Sequence, residues 1–198
     1  MNIVQKNFLI EAREYLKRIN DAFTENKILE IESLAKDLRT IWNEKRQVFI
    51  CGNGGSAANA IHIANDLLYG VGISESGNNN REAIRVEALS ANTAIITCLA
   101  NDTGYENIYS KQLEVKANSG DLLLVLSGSG NSKNIVNALR KSRIIGMKSY
   151  AIVAYDAGKC MKEAENVIHF PINDMQVAED LQLVVGHLCM QWLRQNTP

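Results

Sequence analysis

The sequence is poor in the features that most quickly narrow a function. It has two prolines in 198 residues, so no proline-rich linker divides it. Its four cysteines, Cys51, Cys98, Cys160 and Cys189, are widely spaced and form no C-x-x-C pair. That argues against a paired-cysteine zinc or redox motif and reads as four reduced, mostly buried thiols. No apolar run approaches the roughly 20 residues needed to cross a bilayer, so no membrane partner is expected. The opening MNIVQKNFLIEAREYLK carries acidic residues and no uninterrupted apolar stretch, and so does not read as a secretion signal. A cytoplasmic location is expected. Charge of one sign is also missing: 21 Lys and Arg against 22 Asp and Glu leave a formal net charge of −1. No nucleic-acid partner is expected, because non-specific binding needs a basic surface to displace counterions.

What remains is an ordinary globular composition, 46% hydrophobic, at a length that one domain with a real core can occupy. Phe8, Leu9, Ala12, Leu16, Ile19 and Phe23 recur at helical spacing. Ile28, Ile31, Leu34, Ala35, Leu38, Ile41 and Trp42 make a second stripe. The turn between them, near 24–27, is short, which predicts an antiparallel helical pair. Preceding the first strand, this pair covers the sheet edge or joins a neighbouring subunit.

Beyond it, strands alternate with helices. Strands are expected at 47–50, 83–89, 122–126, 149–154 and 167–170. Helices are expected at 56–68, 105–117, 132–145 and from 177 or slightly later to 193. Such alternation implies a mostly parallel sheet covered on both faces. Asn101-Asp102-Thr103-Gly104 closes the apolar run TAIITCLA and reads as a plain turn. The least regular stretch, 70–82, is rich in Gly, Ser and Asn; it forms a lid over a pocket or a surface loop.

Two strand–turn–helix units suit an anion. In VFICGNGGSAANAIHIANDL the turn is Gly52-Asn53-Gly54-Gly55-Ser56, and in LLLVLSGSGNSKNIVNAL it is Ser127-Gly128-Ser129-Gly130-Asn131-Ser132. Glycine lets backbone approach a ligand, the helix start offers unpaired N–H groups, and serine adds neutral donors. Neither turn carries the lysine of a nucleotide triphosphate loop. The plain alternative makes Ser56 and Ser132 N-caps.

His62 and Asp66, four residues apart on the helix after the first turn, share one face and can share a ligand or metal. The last helix carries Glu179 and His187. Imidazole and carboxylate together suit zinc or a similar divalent ion. Eight residues of straight helix rise ~12 Å, so Glu179 and His187 cannot bind one ion from such a helix. Either the helix begins after Glu179, or the two residues come from different subunits. Gly186 inside this pattern is a candidate for close packing beside His187.

These segments carry a resemblance. GNGGSAANAIHIANDL, LANDTGYENIYSKQL and GDLLLVLSGSGNS, with the histidine-bearing last helix, resemble the sugar isomerase (SIS) domain family, most closely its phosphoheptose isomerase branch. The resemblance covers nearly the whole chain. It implies one α/β domain over 1–198, a three-layer flavodoxin-like sandwich with a central parallel sheet. Residues 1–46 would be the N-terminal helical pair, used in oligomerisation. It also implies a homotetramer with active sites between subunits, and conversion of sedoheptulose 7-phosphate to D-glycero-D-manno-heptose 7-phosphate for surface heptose synthesis. By matching position Asn53, Gly54, Gly55, Asn101, Asp102, Ser127, Gly128, Ser129 and Ser132 would contact substrate. The implied substrate contacts also include Ser56, Asp66 and Glu179. His62, Asp66, Glu179 and His187 fall on the zinc positions, and Asp66 and His187 on the acid/base positions. The chain departs from the family's usual Glu at Asp66, Gln at Glu179 and Thr at Gly128. The same fold serves non-catalytic phosphosugar-binding regulators and a replication-initiator-associating protein, the alternative to an enzyme.

Overall fold

The computed structural model describes residues 7–72 and 83–198. Most of the irregular 70–82 stretch therefore lies outside the described residues; Gly70–Gly72 form a single 3-10 turn. The chain opens with α1 (Phe8–Ala22) and α2 (Glu25–Asn43). Asn7 caps α1 by accepting from the Leu9 amide, and Thr24 caps α2 through the Lys27 amide, which places the break between them.

There follow β1 (Gln47–Gly52), α3 (Gly55–Leu68), β2 (Arg85–Ala88), α4 (Thr93–Thr103) and α5 (Ser110–Lys116). Next come β3 (Leu122–Ser127), α6 (Lys133–Ile145), β4 (Lys148–Val153), α7 (Cys160–Glu163), β5 (Asn166–His169) and α8 (Met175–Gln195). The five strands form one sheet in the order β2-β1-β3-β4-β5, and every neighbouring pair is parallel.

Alternate residues of the central strands feed two separate cores. Val48, Ile50, Leu122, Leu124 and Leu126 face one layer with α2, α3 and α8. Phe49, Cys51, Leu123 and Val125 face the other, with α5 and α6. This is why β3 reads as a continuous apolar run: period-two alternation with both faces covered leaves no polar position. The three-layer α/β sandwich expected from the sequence is the observed architecture, including the N-terminal helices.

Three local readings need correction. Asn101, Asp102 and Thr103, read as a plain turn, are helical and continue the run TAIITCLA as α4. Asn92 caps α4 through the Ile95 amide, and Thr97 and Thr103 return their hydroxyls to carbonyls four residues back, at 2.9 and 2.7 Å. The helix expected at 105–117 is a 3-10 turn, Tyr105–Asn107, followed by the shorter α5. The last helix begins before 177, because Asp174 accepts from the Gln176 and Val177 amides and starts α8 at Met175. Glu179 therefore lies inside a continuous helix with His187, and the option of a helix starting after Glu179 is excluded.

Hydrogen bonds from the Val177 amide and Arg18, with the Arg18 charge, hold the Asp174 carboxyl below its ordinary range. A depressed carboxyl contributes stability above its unfolded value, and that contribution fades as pH falls through the folded value. Asp174→Asn is thus expected to be less stable than the parent at pH 7, the gap closing as pH falls through the lowered folded value; urea midpoints across pH check it.

Neither α1 nor α4 contributes a buried residue. Phe8, Leu9, Ile10 and Leu16 of α1 are all more than half exposed. Among the described residues, no helix is long and apolar enough to cross a membrane.

Candidate active site

Both glycine- and serine-rich turns leave the carboxyl ends of adjacent strands. Gly52 pairs in register with Leu126, so the turns after β1 and β3 are neighbours. In this strand order the chain runs outward in opposite directions from β1 and β3, and the crevice between them is where such sheets bind ligands.

The two turns differ chemically. In the first, Gly54 has φ +57°, and nothing lies within 4 Å of where a Cβ would point, so that side is open. At Gly55 the space of a Cβ is filled by the Glu179 carboxylate. The start of α3 therefore faces a carboxylate of its own chain, an arrangement its dipole favours. Ser56 is not the cap: it lies inside the first turn of α3, is 3% exposed, and the N-cap position belongs to Gly54.

At the second turn the space beside Gly128 is taken by Met175 and Tyr155, and that beside Gly130 by the Ala157 backbone. Ser127 Oγ accepts from the Gly130 amide at 3.2 Å and Ser129 Oγ from the Asn131 amide at 3.3 Å, which leaves both hydroxyl protons free to donate. Ser132 occupies the N-cap of α6 but makes no capping bond with its side chain. Three serines thus stand in one turn at the start of α6. Gly130, at φ +63°, returns the chain so that its carbonyl accepts from the Cys160 amide at 3.0 Å.

Asn53 ties the turns together. Its amide pairs reciprocally with Asn134, at 2.9 and 2.8 Å, and its oxygen also accepts from Tyr105 at 3.1 Å and Tyr109 at 3.4 Å. The side chain expected to touch substrate is spent on this frame. Asn134, 1% exposed, is the partner that sequence reading missed; an asparagine inside a helical pattern gives no signal until the opposing amide is placed. Asn134→Ala would take the acceptor from the half-buried Asn53 NH2 group and is expected to cost about 1–3 kcal/mol, measured from denaturant midpoints.

The acid and imidazole groups meet between α3 and α8. His62 Nε2 and His187 Nε2 are 2.9 Å apart, and each lies 3.4 Å from Asp66 Oδ2. Ligand atoms from all three fall within 4.8 Å of one another. Gly186 makes the approach possible: a Cβ there would stand 2.6 Å from Ile63 of α3. Two Nε2 atoms this close are joined by a hydrogen bond, with one of them carrying the hydrogen. Glu179 is not in this cluster; it sits two turns earlier on α8, over Gly55. Asn101 and Asp102 are exposed at the end of α4, where Asn101 donates to Asp102 at 2.7 Å and Cys98 to Asp102 at 3.5 Å. Cys51, Cys160 and Cys189 are buried free thiols, and burial pushes Cys160 and Cys189 up to about 12, which removes them as nucleophiles.

Parallel strands in this order, a serine-lined anion turn and an acid–imidazole cluster together define a class. The chain belongs to the SIS-domain family, whose pattern matches residues 11–154. It is 36% identical over 167 residues to the phosphoheptose isomerase of Akkermansia muciniphila, covering 84% of this chain and 85% of that one. It is 34% identical over 164 residues to that of Sulfurimonas denitrificans, covering 83% and 81%. Among solved structures, a phosphoheptose isomerase from Francisella tularensis shares the fold, with TM-score 0.83, 23% identity, and 96% and 100% of the two chains covered. Within the SIS family the chain stands in the phosphoheptose isomerase branch and is an isomerase.

Proposed function

We propose that the protein interconverts sedoheptulose 7-phosphate and D-glycero-D-manno-heptose 7-phosphate by proton transfer between adjacent carbons. The observation that carries this reading is that His62 and Asp66, on the helix that opens at the first turn, meet His187 of α8 in one cluster. A module that only bound the phosphate would have no use for that cluster.

The chemistry divides between the turns. A phosphate dianion beside the Glu179 carboxylate would be repelled, so the phosphate belongs to Ser127, Ser129 and Ser132 with the backbone at Gly128. The first turn, with Gly54, Gly55, Ser56 and Glu179, then meets sugar hydroxyls, which donate well to a carboxylate. Asn53 takes part through its backbone, and Asn101 and Asp102 extend the site at its open side.

Isomerisation needs a base to take a proton from the carbon beside the carbonyl and an acid to serve the carbonyl oxygen. Asp66 meets the histidines through Oδ2, which leaves Oδ1 for the proton, and His187 keeps Nδ1 free of the cluster. These two are the acid/base pair, working through a cis-enediol. His62, Asp66 and His187 also fit a divalent ion: two imidazole nitrogens and one carboxylate oxygen are a donor set that suits zinc and leaves a position open. When bound, such an ion supplies polarisation of the carbonyl. Glu179, held over Gly55, belongs to the substrate rather than to that set.

The exposed apolar residues Phe8, Leu9, Ile10 and Leu16 of α1 support a homotetramer, with residues 1–46 packing between subunits and the active site completed by a neighbour. Free buried thiols favour a reducing compartment, which places the reaction in the cytoplasm. Incubating the purified protein with sedoheptulose 7-phosphate and resolving ketose from aldose tests the reading. Appearance of the heptose 7-phosphate is the expected result; none in the presence of added zinc would overturn it.

A further inference from the structure

The rim of the second turn carries a side chain that neither the motif nor the proposed chemistry uses. Met175, the first residue of α8, lies over Gly128: a Cβ on Gly128 would stand 2.5 Å from the Met175 sulfur and 3.0 Å from its methyl carbon. The Tyr155 ring is the next neighbour, at 3.8 Å. Thioether and ring therefore border the turn directly between Ser127 and Ser129.

Both are held in place by their own backbones. Asp174, which caps α8 and pairs with Arg18 at 2.5 Å, fixes where Met175 begins. Tyr155 has φ +49°; its amide donates to Ile172 O at 3.2 Å, and its carbonyl meets His169 Nε2 at 2.8 Å. A non-glycine residue in that region is costly and persists only where its surroundings enforce it. The adjoining Ala154 amide donates to the Gly128 carbonyl at 2.9 Å, which locks this loop to the turn.

We propose that Met175 is a specificity-determining residue, forming with Tyr155 the apolar wall that packs on the carbon chain next to the phosphate. This rests on the reading that the second turn holds the phosphate. A primary phosphate ester presents a methylene at that position, and a thioether adapts to such a group without a hydrogen bond. Met175 would thus favour sugar phosphates esterified at a terminal CH2 over those esterified at the anomeric carbon, where polar oxygens would meet the wall.

The test compares the parent enzyme, Met175→Ala and Met175→Leu, with sedoheptulose 7-phosphate as substrate and inorganic phosphate as competitive inhibitor. Met175→Ala should raise KM about tenfold, the equivalent of ~1.4 kcal/mol of lost contact, with kcat within about twofold. Met175→Leu should restore most of the KM. The inhibition constant of inorganic phosphate, which has no carbon to touch the wall, should stay the same. An unchanged KM in Met175→Ala, or an equal loss of affinity for inorganic phosphate, would overturn the proposal, the latter by showing that Met175 merely shapes the turn. A parent protein that neither turns over the substrate nor binds inorganic phosphate would overturn the phosphate reading itself, and this proposal with it.

Discussion

Asp66→Asn and His187→Ala should each lower kcat by at least about 10²-fold while the protein stays folded. General acid–base groups contribute about 10²–10⁴ to rate, and both residues stand in one cluster, so either loss removes a proton carrier. Folding should survive, because the His187 side chain is 40% exposed and Asp66 keeps its shape as asparagine. His62→Ala separates the two roles assigned to the cluster. It removes a metal donor and no assigned proton carrier, so its activity should recover in excess zinc, whereas that of Asp66→Asn should not. Steady-state rates with and without added zinc, alongside metal content, read this directly. Full turnover in both Asp66→Asn and His187→Ala would remove the acid/base assignment.

Gly130→Ala should produce the largest loss of stability of any single methyl addition in the site. At φ +63° an alanine costs roughly 1–2 kcal/mol in backbone conformation alone. Its Cβ would also fall on the Ala157 carbonyl, backbone that cannot swing aside as a side chain could. Ala157 is itself at φ +61° and fully buried, so the loop has little room to retreat. A total of about 3 kcal/mol or more is expected, which for a chain of this size lowers Tm by roughly 6–12 °C. Substrate affinity should fall with it, since the same glycine lets the Ser127 and Ser129 hydroxyls face one way. A thermal melt within 2 °C of the parent would show that the turn is looser than its contacts imply.

Much of this site was legible before any fold was known, and the reasons differ residue by residue. His62 and Asp66 declared themselves, because four residues in a helix bring side chains to one face whatever surrounds them. The two turns were visible because glycine and serine cluster where an apolar strand ends. Glu179 was harder. Its helical distance from His187 was correctly too long for one ion, yet nothing local showed that its carboxylate would rest over Gly55, since that depends on how α8 crosses α3. Asn134 gave no sign, because an asparagine in a helix acquires meaning only from the amide opposite. The run before Asn101 concealed α4: TAIITCLA is apolar nearly throughout, so no polar face sets off the Ile96, Leu99 and Ala100 stripe that packs on the second core.

By itself the sequence determined the order of the five strands, the positions of the anion-suited turns and the His62–Asp66 pair, all set by contacts within one or two helical turns or one strand end. The tertiary structure alone decided that His187 completes that pair, that the Glu179 carboxylate rests over Gly55, and that Met175 borders the second turn. The physical reason is that each of these depends on sheet order and on a helix crossing that Gly186 permits, and such contacts between distant segments leave no periodic trace along the chain.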